Sequence, residues 1–244
     1  MKFAAKRPSP FLTKTTVKRP PKALTIGVFG ARGTGKTAWI KQLIGGLGPQ
    51  RLLVWDYKHD PDLKTLGKPI TRLADLARAA AAPAFSLRYL VQQDTDPIPQ
   101  FDLFCRIAWA AGNLTLFVDE LPEVTKANKA PQAWRKCVNV GRSYSDGGTL
   151  KSLSIIGAGQ RPTEVDKSFL GNCDVIHTGR LGYQNDAKAL AQAWGTDFRE
   201  LFTMPDLAWV EKRADNPQVL RGMLSFGNTK KPIAKKKQGL DTAA

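Results

Sequence analysis

Eight residues near the start of the chain constrain its fold more than any other segment. Gly30 to Thr37 read Gly-Ala-Arg-Gly-Thr-Gly-Lys-Thr, which is the complete G-x-x-x-x-G-K-T pattern of a phosphate-binding loop. An apolar, β-branched run at 24–29 precedes the loop and predicts a buried strand. Apolar residues at helical spacing follow it and stop at Gly45-Gly46. A chance glycine-rich turn would lack this strand and helix, so the context favours a phosphate site.

The loop residues have separate expected roles. The glycines let successive backbone N–H groups converge on phosphate oxygens, and the helix N-terminus adds a partial positive charge. We expect Lys36 to reach the β- and γ-phosphates and the Thr37 hydroxyl to hold Mg²⁺. The chain is therefore predicted to bind a nucleoside triphosphate. The residues expected to surround its phosphates are Gly30, Ala31, Arg32, Gly33, Thr34, Gly35, Lys36 and Thr37.

A second motif predicts hydrolysis of the nucleotide. The apolar run at 114–118 ends in Asp119 and Glu120, a Walker B pattern. Asp119 is expected to hold Mg²⁺ through water, and Glu120 to polarise the attacking water. An acidic pair after a strand is also a common polar start of a helix, but the phosphate loop upstream favours the catalytic interpretation. The segment at 128–131 lacks the Asp of a guanine-binding Asn-Lys-x-Asp motif, so ATP is the favoured nucleotide.

A third segment narrows the family. The predicted strand at 152–158 runs into Gln160-Arg161-Pro162, where Gln160 could contact both the γ-phosphate and the attacking water. The order of motifs resembles the FtsK–HerA superfamily of DNA-translocating ATPases, roughly from Leu24 to Leu181. The segments that carry the resemblance are Arg51–Lys58, Gly141-Arg142, Gln160-Arg161-Pro162, Glu164-Val165-Asp166, Asp174–His177 and Arg180-Leu181.

The resemblance implies a ring, commonly a hexamer, that moves double-stranded DNA. Because 244 residues leave room for one ATPase domain and two tails, the chain is most similar to the genome-packaging ATPases of tailless, membrane-containing icosahedral phages. That likeness implies capsid vertex or portal partners, and a location in the host cytoplasm and at the virion packaging vertex. It also implies a transition-state arginine supplied by a neighbouring subunit, with Arg142 the first candidate and Arg180 the second.

Charge is concentrated at the two ends of the chain. The net charge is +16, and residues 1–22 carry seven Lys and Arg with no acid, while 228–244 carry five Lys and one Asp. We predict a basic disordered arm at 1–22, an ATPase domain at 23–227 and a basic tail at 228–244. Such arms bind the DNA backbone by releasing counterions, although solubilising ends and arms that bind anionic lipid have the same composition.

The pattern of elements predicts an α/β fold, a P-loop NTPase of the RecA-like type with a mainly parallel sheet flanked by helices. A C-terminal hairpin, near 207–210 and 218–224, is expected at the sheet edge. The predicted strands are 24–29, 51–56, 85–91, 114–119, 152–158 and 174–178, and the predicted helices are 36–45, 71–81, 100–111, 131–145, 163–170 and 184–194.

Several alternatives stay open from the sequence. No apolar run approaches the ~18–20 residues that a membrane span needs, and three widely spaced cysteines suit reduced thiols, so we expect a protein that is neither secreted nor membrane-spanning. A cellular HerA-like or conjugative coupling ATPase is the nearest enzyme alternative. An ATP-dependent assembly switch or scaffold with little turnover is the second, although the intact Glu120 weighs against it. A small-molecule kinase would need a lid with clustered arginines, which is lacking between Val165 and Thr203.

Overall fold

A computed structural model of the protein describes residues 22–226. The predicted basic tail at 228–244, and the basic arm at 1–22 except for its last residue, lie outside the described residues. The strands are β1 Thr25–Phe29, β2 Arg51–Asp56, β3 Lys68–Ile70, β4 Phe85–Leu90, β5 Leu114–Val118, β6 Tyr144–Asp146, β7 Thr149–Lys151, β8 Leu153–Gly159, β9 Val175–Thr178, β10 Ala208–Arg213 and β11 Asn216–Met223. The helices are α1 Lys36–Leu47, α2 Leu73–Ala79, α3 Pro97–Ala111, α4 Gln132–Val140, α5 Lys167–Asn172, α6 Gln184–Trp194 and α7 Phe198–Thr203.

Nine strands form one sheet in the order β11-β10-β9-β1-β8-β5-β2-β4-β3. The seven strands from β9 to β3 run parallel, and β10 and β11 add an antiparallel hairpin at one edge. The predicted fold class, including the edge hairpin, is confirmed. β8 lies between β1 and β5, so the phosphate loop after β1 and the carboxylates after β5 are two strands apart at the same edge of the sheet.

Both faces of the sheet are buried, which explains why its central strands are apolar throughout rather than alternating. On one face the alternate residues Ile26 and Val28 of β1 pack in a cluster with Ile40 and Ile44 of α1. The other face carries the larger cluster, which includes the aromatic side chains of α3 and the fully buried Trp134 of α4. The strands are thereby fixed from both sides, and their carboxyl ends position the side chains of the candidate site.

The ends of several helices differ from the predictions. Helix α1 continues through both predicted stop glycines to Leu47, because the residue that takes the left-handed conformation is Gly48 (φ 53°), whose N–H donates to the Ile44 carbonyl. The predicted helix at 131–145 ends at Val140. Beyond it, β6 and β7 form a small hairpin whose turn, Gly147-Gly148, has positive φ at both residues.

Two further elements were not predicted, and one was misplaced. The short strand β3 and helix α7 lack a strong periodic pattern, since each is only a few residues long. The helix predicted at 163–170 begins at Lys167, because the Asp166 side chain accepts a hydrogen bond from the Ser168 N–H and so caps the helix there. Among residues 22–226, none of the helices has both the length and the apolar character needed to span a bilayer.

Burial of β5 should dominate the stability of the carboxyl edge. Leu116 is fully buried at the centre of β5, so Leu116→Ala is expected to lower the free energy of unfolding by about 2–5 kcal/mol, through lost apolar contact and the cavity left behind. Leu150→Ala, on the exposed hairpin strand β7, is the matched control and should cost less than about 1 kcal/mol. Urea unfolding measures both, and equal losses would contradict the described core.

Candidate active site

The phosphate loop adopts the conformation that its glycines allow. Gly30, Gly33 and Gly35 all have φ between 81° and 143°, a region that side-chain-bearing residues rarely enter. Gly35 precedes the first residue of α1, so the loop's backbone leads directly into the helix N-terminus. The loop is also tied to the rest of the edge, because the Ala31 N–H donates to the Arg180 carbonyl at 2.7 Å. These backbone features suit a cradle for phosphate oxygens.

Lys36 lies across the mouth of the loop. Its ammonium donates to the carbonyls of Gly30 at 2.7 Å and Ala31 at 3.0 Å. Burial lowers the pKa of Lys36, while the charges of Glu120 and Asp119 oppose that shift. Lys36 is thus close to both Walker B carboxylates. Thr37 is the next residue of α1, and the buried Thr34 hydroxyl donates to the Ala31 carbonyl at 2.9 Å, which stiffens the loop.

Glu120 is held at the edge by two side chains. Lys58, which follows β2, donates to its Oε1 at 2.6 Å, and the Gln160 side-chain amide, which follows β8, donates to the same oxygen at 3.4 Å. Glu120 itself has a φ of 49°, an uncommon value for a residue with a side chain. The structure therefore places Gln160 beside Glu120. An amide next to a carboxylate can orient a water molecule between them.

Asp119 is in an environment that resists its ionisation. Burial, followed by the charges of Glu120 and Asp56, raises the pKa of Asp119 to about 7, while Lys58 opposes the shift. A bound cation would remove this cost, and the donors on hand, carboxylate and hydroxyl oxygens, are those that Mg²⁺ prefers. Within residues 22–226 no group of three or more His, Cys, Asp or Glu side chains could hold a metal alone. The residues thus fit an ion held by Thr37, Asp119 and the phosphates together.

The two candidate arginines lie at opposite ends of the parallel strands. Arg142 follows α4 and donates to Asp174, at the amino-terminal start of β9, at 2.8 Å, and to the Asn172 carbonyl at 2.9 Å. Its side chain is 42% exposed. It is therefore at the edge away from the phosphate loop of its own chain. Arg180 instead lies beside that loop, through the bond of its carbonyl to Ala31, and its guanidinium pairs with Asp206 at 2.6 Å.

Two further residues, Lys58 and Asp56, belong to the site. Lys58 is the ion-pair partner of Glu120, and its only signal was its place after the second strand. Asp56 is fully buried, pairs with Arg88 of β4 at 2.7 Å and accepts from the Asp60 N–H at 3.0 Å, so it anchors the loop that carries Lys58. From the sequence, Asp56 could orient a Mg²⁺-bound water molecule, although an Asp at a strand end more often forms a turn. Its ion pair with Arg88 depends on the adjacency of β2 and β4, which the sequence does not show.

Known proteins resemble the chain in fold. No protein-family model and no curated protein matches the sequence. The genome packaging NTPase of Sulfolobus turreted icosahedral virus 2, solved with AMPPCP, matches with a TM-score of 0.64 at 14% identity over 85% of this chain and 100% of that one. The same protein with ATP-γS gives 0.66 at 13% identity over 83% and 98%. The DNA-packaging ATPase of Sulfolobus turreted icosahedral virus gives 0.60 at 14% over 80% and 95%. These likenesses show that the chain shares the fold of the genome packaging NTPases, as the predicted P-loop NTPase fold requires.

The raised pKa of Asp119 predicts a pH-dependent stability. An acid with a folded-state pKa of about 7, above its ordinary 3.8, binds its proton more tightly in the folded protein, so it lowers stability as pH rises from about 4 to about 7. Asp119→Asn removes this titration and should gain stability over the wild type through that window, by at most about 4 kcal/mol. Urea unfolding at about pH 5 and pH 8, without nucleotide or Mg²⁺, measures it. If the stability difference between Asp119→Asn and the wild type did not change with pH, the raised pKa of Asp119 would be contradicted.

Proposed function

We propose that the chain is an ATP-hydrolysing motor that moves double-stranded DNA. The observation that carries the proposal is the convergence of four side chains at the carboxyl edge of the sheet. Lys36 lies at the phosphate loop, near both Asp119 and Glu120, and Gln160 reaches Glu120 from the neighbouring strand. Together they provide a charge for the phosphates, a ligand for Mg²⁺, a base for water and a polar group that can report the γ-phosphate. When bound, Mg²⁺ would neutralise the developing phosphate charge.

More specifically, we propose that this motor packages a viral genome. It is supported by the fold likeness to genome packaging NTPases, the net charge of +16 and the basic composition of 1–22 and 228–244. In this proposal the arms hold the phosphate backbone, and the domain at 23–227 forms a hexameric ring on double-stranded DNA. The ring works at the capsid vertex against portal proteins, after assembly in the host cytoplasm.

In such a ring, Arg142 acts on the site of the next subunit. Its position at the amino edge separates it from its own phosphate loop, so a catalytic role requires a neighbour's loop to come to it. The Asp174 carboxylate and the Asn172 carbonyl hold the guanidinium at the surface, where it is ready for a phosphate to replace them. Arg180, beside its own loop, is the less suitable of the two for a role in trans.

Two substitutions separate nucleotide binding from hydrolysis. Glu120→Gln keeps the shape of the side chain but removes the base, so ATP should bind normally while turnover falls at least about a hundredfold. Lys36→Ala removes the cation at the phosphates and should weaken binding itself. Isothermal titration calorimetry and a phosphate-release assay measure the two effects. Normal turnover by Glu120→Gln would exclude it as the base.

Complementation tests the trans role of Arg142. Arg142→Ala should lower turnover about a thousandfold in the assembled protein, as loss of an arginine finger does. Mixing this variant with the equally inactive Lys36→Ala should restore turnover, because each variant supplies the part that its neighbour lacks. Arg135→Ala, an exposed arginine on α4, is the control and should stay active alone. Mixed assemblies that remain inactive would contradict a finger acting between subunits.

A further inference from the structure

A triphosphate can lie in only one direction along the carboxyl edge. Its γ-phosphate must reach Glu120 and Gln160, which follow β5 and β8, on one side of β1. The phosphate loop itself follows β1. The ribose and base must therefore leave the loop on its other side, toward the ends of β9, β10 and β11.

The C-terminal hairpin presents two leucines at that side of the loop. β10 begins and β11 ends at the carboxyl edge, because β10 runs antiparallel to β9 and β11 antiparallel to β10. Leu207 and Leu224 lie just outside the two strands and pack against Gly35. If Gly35 carried a Cβ atom, that atom would lie 3.1 Å from a Leu207 methyl carbon and 2.8 Å from a Leu224 methyl carbon. Apolar side chains thus lie directly against the base side of the phosphate loop.

Hydrogen bonds fix the end of the hairpin that carries these leucines. The Leu224 N–H donates to the Leu207 carbonyl at 2.8 Å, and Gln42 of α1 donates to the Ser225 carbonyl at 2.9 Å. Leu207 has a φ of 67°, an unusual conformation for leucine that the surrounding contacts maintain. The hairpin end is therefore fixed to the phosphate-loop helix.

A polar pair borders the leucines. Arg180, whose carbonyl is bonded to the phosphate loop, donates from its guanidinium to the carboxylate of Asp206 at 2.6 Å. Asp206 immediately precedes Leu207, and its side chain is 63% exposed. One of its oxygens is fixed by Arg180, so the other is available to accept a hydrogen bond from a ligand hydroxyl.

We propose that Arg180, Asp206, Leu207 and Leu224 form the nucleoside subsite, an inference that rests on the proposed nucleotide-dependent function. Leu207, which is partly exposed, packs on the base with the buried Leu224 behind it, and Asp206, oriented by Arg180, accepts a hydrogen bond from a ribose hydroxyl. This gives Arg180 a role within its own subunit rather than in the neighbouring one. It also gives the edge hairpin, which takes no part in phosphate chemistry, a function in substrate binding.

Three ligands test the subsite by calorimetry in the presence of Mg²⁺: ATP, 2′,3′-dideoxy-ATP and inorganic tripolyphosphate. The wild type should bind ATP about tenfold more tightly than the dideoxy nucleotide, and Asp206→Ala should bind the two equally. Asp215→Ala, which removes the same charge from the turn at the other end of the hairpin, should retain the wild-type preference. A preference that survives Asp206→Ala would overturn the ribose contact.

The leucines are tested with Leu207→Gly, because glycine accepts the left-handed backbone and only the side chain is lost. ATP affinity should fall about tenfold while tripolyphosphate affinity stays unchanged. Leu150→Gly is the control for loss of an exposed leucine elsewhere and should change neither. Equal losses for both ligands would mean that Leu207 only supports the phosphate loop, and no loss would mean that the base lies elsewhere, so either result overturns the base contact.

The same titrations keep this inference separate from the proposed function. A wild-type protein that binds neither ATP nor tripolyphosphate would remove the proposed function and the subsite together. Normal binding of both ligands, with no effect from Asp206→Ala or Leu207→Gly, would remove the subsite alone. Circular dichroism melting of each variant shows whether an altered affinity comes from a folded protein.

Discussion

The site depends on one electrostatic constraint: burial makes Asp119 costly to ionise, and Lys58 offsets that cost only in part. Burial and the neighbouring carboxylates of Glu120 and Asp56 together raise its pKa to about 7. Two lysines from different parts of the chain, Lys36 and Lys58, approach this acidic group without pairing with Asp119 itself. The two lysines do not pair with Asp119, so this carboxylate can accept a divalent cation that arrives with the phosphates. An edge of this kind is suited to bind a metal–nucleotide complex rather than either part alone.

The order of the strands brings the residues of the site together. Because β1, β8, β5 and β2 run parallel, everything that follows them lies at one edge: the phosphate loop, Gln160, the Asp119–Glu120 pair and Lys58. β8 between the two motif strands separates the loop from the carboxylates by a distance that a phosphate chain can bridge. Strand order also gives the nucleotide its direction, and so links the catalytic chemistry to the edge hairpin on the other side of β1.

Sequence and structure agree where information is local. A phosphate loop between a strand and a helix, and an apolar strand ending in two acids, are patterns within a few residues, so the sheet class and the positions of Lys36, Asp119, Glu120 and Gln160 followed from the sequence. The end of α1 could not be predicted in the same way, because the helix could stop at Gly45-Gly46 or at Gly48. The left-handed backbone of Gly48 decides between them.

Contacts between residues far apart in the chain could not be predicted from the sequence. The contacts of Lys58 with Glu120, Asp56 with Arg88, and Leu207 and Leu224 with Gly35 join residues far apart in the chain, and they depend on which strands become neighbours. The same holds for Arg142, which follows a helix, and Arg180, which follows a strand: the sequence does not show that they lie at opposite ends of the parallel strands. The roles of the arms at 1–22 and 228–244, and of Arg142 in trans, stay predictions.

The DNA-motor function is best tested by ATP hydrolysis of the purified protein with and without double-stranded DNA, measured together with its mass in solution. A DNA motor should hydrolyse ATP faster when DNA is added, in an assembly of about six subunits, and only with Mg²⁺ present. A protein that stays monomeric with DNA present, binds ATP and hydrolyses it at a rate that DNA does not change would contradict a DNA motor.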